Sequence, residues 1–175
     1  MERKNAWLSY GESDEKEMEK LAKDYRAFLD AGKTERECVT ELVREAEANG
    51  YVSLEAKQAA GEKIQPGDKV YAVGMKKIMA LFHVGQEPLE KGMNILGAHI
   101  DSPRLDVKQN PLYEDTDLAY LDTHYYGGVK KYQWVALPLA IHGVIAKKDG
   151  SVVNVTIGED ENDPVVYLTA LLMHL

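Results

Sequence analysis

Ile95-Leu96-Gly97-Ala98-His99-Ile100-Asp101-Ser102-Pro103 is the stretch on which the reading of the chain turns. An apolar run, Ile95 to Ala98, delivers a histidine, and an aspartate follows two residues later. Pro103 then interrupts any backbone ladder, because proline has no N–H to donate. The pattern predicts a buried strand over 95–99 that ends at a loop, with His99 and Asp101 at the loop's start. Catalytic and binding groups of α/β folds gather outside the carboxyl ends of strands. A metal-bound imidazole needs a partner on its other ring nitrogen, often a carboxylate, to fix tautomer and basicity. His-x-Asp at a strand end is therefore a candidate ligand with a candidate orienting carboxylate. Spacing alone leaves an equal place for a purely structural histidine–carboxylate pair.

Upstream, the sequence reads as helices and then strands. Ser13 is an expected N-cap, with Asp14, Glu15 and Glu17 suited to the positive end of the helix dipole. Met18, Leu21, Ala22, Tyr25, Phe28 and Leu29 recur at helical spacing, and Gly32 closes the helix. Thr34 and Glu37 have capping-box spacing. The second apolar stripe, Cys38, Val39, Leu42, Val43 and Ala46, ends at Asn49-Gly50. Gln65-Pro66-Gly67-Asp68 is a turn, and Lys69 to Val73 and Ile78 to Val84 have strand character. Leu105 to Lys108 is a fourth strand candidate after 95–99. No sustained alternation of strand and long helix appears, so this half is not doubly wound.

Downstream, the pattern becomes β-rich. Leu118 to Tyr126 reads as one strand and Ala136 to Ala146 as a long one. Asp149-Gly150 supplies a hairpin turn into Ser151 to Ile157. An acidic loop, Glu159 to Asp163, precedes a segment, Pro164 to Leu175, whose leucine spacing allows a helix. The apolar run at the chain's end reads as an element cut short, or as one that docks on a partner.

Composition narrows the function. The chain has 175 residues, 45% of them hydrophobic, and a formal net charge of −8. That balance argues against binding a phosphate backbone, which needs clustered Lys and Arg. No apolar run approaches the length a membrane helix needs. The amino terminus lacks the apolar core of a secretory signal, and Cys38 is the only cysteine, so a cytoplasmic location is expected. Cys38 itself reads as a small core residue.

The other histidines are weaker candidates. His83 and His142 lie in β patterns, and His124 sits among Tyr120, Tyr125 and Tyr126. Neither the helix-borne zinc motif nor a nucleophile elbow occurs. Ser102 reads as a loop-capping serine. Gly127-Gly128 lacks the features of a phosphate loop; it more simply lets backbone bend or approach something closely.

Three segments together resemble one family. Gly97-Ala98-His99-Ile100-Asp101-Ser102-Pro103-Arg104-Leu105-Asp106-Val107-Lys108 resembles the metal-binding segment of the M18 metalloaminopeptidases, the aspartyl aminopeptidase family. Tyr125-Tyr126-Gly127-Gly128-Val129-Lys130-Lys131-Tyr132-Gln133-Trp134 resembles that family's next hallmark. Leu171-Leu172-Met173-His174-Leu175 is similar to its Leu-Leu-Pro-His-Leu segment, with Met173 in place of proline.

The resemblance implies an α/β catalytic domain interrupted by a β-rich dimerisation insert; as truncated here, the composition is α+β. It divides the chain into residues 1–106, the start of the catalytic domain, and 107–175, the first part of the insert. It implies a two-zinc centre, peptide substrates cleaved at their amino termini (acidic residues in many members) and a homo-oligomer of dimers assembling to a dodecamer. On matching positions His99 is a metal ligand and Asp101 the carboxylate that orients it. His174 matches a histidine that reaches the active site of a neighbouring subunit. Members of the family run to more than twice this length, and their remaining ligands and general base would lie beyond Leu175. The chain alone is therefore expected to be inactive. The alternative expectation is a non-catalytic assembly module that pairs with itself or with a separate carboxyl-terminal half.

Overall fold

A computed structural model describes residues 3–168, which fall into two compact units divided between Ile100 and Asp101. Helices and small sheets give an α+β chain, as the sequence implied.

The first unit opens with α1, Glu12–Ala31, and α2, Glu35–Ala48. The cap of α1 is Gly11 and not Ser13. Asp14 decides this: its Oδ2 accepts from the Gly11 N–H at 2.8 Å, which fixes the first turn two residues earlier. Gly32 follows α1 as expected, for a steric reason. Its φ is −109°, which any residue adopts, but a Cβ there would lie 2.8 Å from Cys38 Sγ and 3.2 Å from the Phe28 carbonyl oxygen. The Thr34–Glu37 capping box forms: the Thr34 N–H donates to Glu37 Oε2 at 2.9 Å and the Glu37 N–H to Thr34 Oγ1 at 3.4 Å.

Beyond α2 come β1 (Val52–Ser53), α3 (Leu54–Ala59), β2 (Lys69–Gly74) and β3 (Ile78–His83). The sheet order is β1-β2-β3, with β1 parallel and β3 antiparallel to β2. The short α3 was not expected; Ser53 caps it, its Oγ accepting from the Ala56 N–H at 3.3 Å. The core is small: Cys38, Val39 and Ala46 of α2, with Val70 and Tyr71 of β2, are buried. The Tyr71 hydroxyl donates to Glu47 Oε1 at 2.7 Å, tying sheet to helix. That bond, aided by burial, pushes the phenol up from its ordinary pKa.

The expected strand over 95–99 does not form. Residues 92–100 have no regular structure, and Ile95 and Leu96 are 82% and 95% exposed. An extended segment becomes a strand only when a neighbour takes up its N–H and C=O groups. No described strand pairs with this one.

The second unit consists of two antiparallel hairpins. β4, Arg104–Asp115, pairs with β5, Leu118–Tyr126. The register shifts between Val107↔Thr123 and Leu112↔Leu121, in a stretch that contains Pro111, which cannot donate to a ladder. β6, Ile141–Ala146, pairs with β7, Val152–Ile157, across the expected Asp149-Gly150 turn, where Gly150 has φ +85°. The long strand expected from Ala136 begins only at Ile141. Ala136 is left-handed at φ +60° and Pro138 lacks a donor, so residues 135–139 make only isolated bridges to Leu168 and Val166. The described part of the last segment, Pro164–Leu168, is not helical. No helix among the described residues is long and apolar enough to cross a membrane.

Candidate functional site

His99 lies near the end of the first unit, exposed, on the irregular segment 92–100. An exposed imidazole is open to solvent and to a cation, unlike a histidine packed in hydrocarbon. The next residue, Ile100, is half-buried, and the Cys38 thiol lies 3.7 Å from its carbonyl oxygen as donor. That contact anchors the end of the segment to α2. Burial first, then the charges of Glu37 and Glu35, push the Cys38 thiol up from its ordinary value, which favours its protonated form.

Asp101 opens the second unit and is half-buried. The Tyr126 hydroxyl donates to its Oδ2 at 2.8 Å. Tyr126 stands opposite Arg104 in the β4–β5 ladder, and the Arg104 guanidinium sits 4.2 Å from the centre of its ring. Arg104 Nε in turn donates to Asp106 Oδ1 at 2.7 Å. Gly127 has φ +71°, and a Cβ there would meet Pro103 at 3.5 Å. The expected close approach of backbone at Gly127 is thus an approach to the loop that carries Asp101.

The other histidines have their own settings, and His124 stands opposite Asp106 in the β4–β5 ladder. His83 ends β3. His142 in β6 has Nε2 2.8 Å from Glu159 Oε1, and His124 in β5 has Nδ1 3.4 Å from the Tyr125 carbonyl oxygen. His174 lies outside the described residues. Among the described residues no group of three or more His, Cys, Asp or Glu side chains is placed to hold a metal ion. A hydrolytic zinc takes about three protein ligands and an open position for water. One exposed imidazole, His99, can supply at most one of those ligands.

Sequence reasoning missed Tyr126 and Arg104 as members of this cluster. The signal was present in principle: pairing the strand candidates at 105–108 and 118–126 as one hairpin sets Arg104 beside Tyr126. The turn hid it, because Thr116 and Asp117 adopt φ +51° and +62° without a glycine.

Comparison with known proteins gives the same direction. The sequence profile described as "Aminopeptidase I zinc metalloprotease (M18)" matches residues 28–175. A probable M18 family aminopeptidase 1 of Clostridium acetobutylicum is 60% identical over 174 residues, 99% of this chain and 37% of that protein. The crystal structure of aminopeptidase I from the same organism superposes with a TM-score of 0.82 at 59% identity, covering 100% of this chain and 38% of that one. Aminopeptidase I from Borrelia burgdorferi B31 superposes with a TM-score of 0.87 at 37% identity, covering 97% of this chain and 41% of that one. The chain thus spans about 37% of the length of the curated relatives it matches. On the profile match and the identities together, this chain belongs to the M18 family of aminopeptidase I zinc metalloproteases.

Proposed function

We propose that this chain is the amino-terminal part of a zinc-dependent aminopeptidase that releases amino-terminal residues, acidic ones among them, from peptides. The observation that carries the reading is the likeness that runs through almost the whole chain to part of much longer aminopeptidases. In this reading His99 supplies one ligand of a two-zinc centre whose other ligands come from outside residues 1–175. Its exposure leaves it accessible to a cation. Zinc, when bound, supplies Lewis acidity for hydrolysis near neutral pH. Asp101 orients the His99 imidazole and strengthens it as a ligand. His174, donated by a neighbouring subunit, stabilises negative charge developing on the scissile carbonyl. The protein works in the cytoplasm as a homo-oligomer of dimers that build to a dodecamer. Residues 1–106 belong to the catalytic domain and 107–175 to the dimerisation insert.

The test uses the full-length protein that carries this segment. His99→Ala should lower bound zinc by elemental analysis, by about one ion per site, and abolish turnover of aminoacyl chromogenic substrates, whereas His83→Ala should leave both nearly intact. Retained zinc and turnover in His99→Ala would refute the reading. The isolated chain should bind zinc substoichiometrically and turn over nothing; two tightly held zinc ions per isolated chain would contradict the division of ligands.

A second reading has one observation in its favour. The hairpins of the second unit carry exposed apolar side chains, Leu112, Leu118, Ile145 and Val152 among them. Such faces suit self-pairing, so the chain could serve as an assembly module without chemistry. Adding the carboxyl-terminal remainder of the protein separates the two: turnover regained on mixing supports the enzyme, and none supports the module.

A further inference from the structure

We propose that Tyr126 is a positioning residue for the Asp101 carboxylate, held in its place by Arg104. The proposal deepens the reading above and rests on Asp101 being the orienting partner of a metal-binding His99.

Asp101 sits just after an irregular segment and just before Pro103, so no strand ladder fixes it. A side chain 25 positions away holds its carboxylate within the second unit, through the Tyr126 hydroxyl at 2.8 Å. A hydrogen bond to an ionised acceptor is stronger than one between neutral groups, and it restrains the rotation of the carboxylate plane. Tyr126 is itself restrained from two sides. Its backbone is paired with Arg104 at the end of the β4–β5 ladder. Its ring lies under the Arg104 guanidinium, which Asp106 holds through Nε at 2.7 Å. Cation over ring is an attractive geometry, and the paired aspartate keeps the cation there. Directly after Tyr126 the chain turns at Gly127 in the left-handed region and brings its backbone against Pro103. The hairpin end therefore meets the Asp101 loop twice, once by a hydroxyl and once by packing. A carboxylate that is to orient an imidazole must itself be oriented, since an unaimed partner fixes nothing.

The experiment compares variants of the full-length protein by zinc dissociation constant, from competition with a chromogenic chelator, and by kcat and KM. Tyr126→Phe removes the hydroxyl and keeps the ring and its stacking. It should weaken zinc binding severalfold, up to about tenfold, since Tyr126 acts through Asp101 and outright loss of a ligand's partner costs about 10–100-fold. It should lower kcat and leave KM and the melting temperature near wild type. Arg104→Met should weaken zinc in the same direction by a smaller factor. Wild-type zinc affinity and kcat in Tyr126→Phe, with zinc lowered in His99→Ala, would overturn the role of Tyr126 and leave the aminopeptidase reading standing. A fall in melting temperature with zinc affinity unmoved would mark Tyr126 as merely structural and overturn it equally. Undiminished zinc in His99→Ala would remove the parent reading, and this proposal with it.

Discussion

At the scale of single residues, the chain is governed by short-range polar contacts that a reader of sequence can find. Thr34 and Glu37 are three apart, and their reciprocal bonds need nothing from elsewhere in the fold. Asp68 is similar: its Oδ2 accepts from the Gln65 N–H at 2.8 Å and lies 3.4 Å from Lys57 Nζ. The bond from Gln65, then that from Lys57, holds its carboxyl below the usual range. A carboxyl depressed in the folded state stabilises fully above its unfolded pKa, and that stabilisation disappears as pH falls through its folded pKa. Asp68→Ala should therefore unfold at a lower denaturant concentration than wild type at pH 7. The gap should close as the solution is acidified through and below the carboxylate range; a gap independent of pH would show that the charge is irrelevant. What sequence could not supply at this scale is contact between distant residues. Gly32 was legible as a helix end, but its need for space against Cys38 was not. His99 and Asp101 were legible as a motif, whereas the hydroxyl that holds Asp101 comes from residue 126 and depends on strand register.

At the scale of elements, success followed local signals and failure followed missing neighbours. β5 occupies the expected 118–126, and β6 and β7 flank the expected Asp149-Gly150 turn. The β4–β5 turn was unreadable because its two central residues, Thr116 and Asp117, are left-handed without the usual Asn-Gly. Replacing them by Thr116→Asn with Asp117→Gly should relieve that strain and stabilise the hairpin by about 1 kcal/mol. The bond from the residue 117 N–H to Glu114 Oε1 survives the change. Denaturant unfolding followed by near-ultraviolet circular dichroism suits the measurement, since Tyr113 and Tyr120 stack 5.2 Å apart near the turn. No gain in midpoint would mean that the turn is unstrained. The run at 95–99 failed for the opposite reason. Its composition is that of a buried strand, yet composition specifies willingness to pair and not the presence of a mate.

At the scale of the whole chain, each unit must be weighed by itself. All five buried hydrophobic residues among those described belong to the first unit, in α2 and β2. The second unit has two-stranded hairpins, which are marginal without further layers. Amide hydrogen exchange should therefore be slowest in Lys69–Gly74 and in α2 near Cys38 and Ala46, faster in β6 and β7, and fastest over residues 92–99. Protection over 92–99 in the isolated chain would contradict the irregular, exposed conformation described for that segment.

Cys38 has a practical consequence of its own. It is the sole sulfhydryl in the sequence, only 4% exposed, and its pKa shift favours the less reactive protonated form. A thiol-directed reagent must wait until the turn at Gly32 or the segment ending at Ile100 moves away from Sγ before it can react. Its labelling rate thus times the breathing of the first unit through a reporter that evolution has already installed, with no engineered probe required.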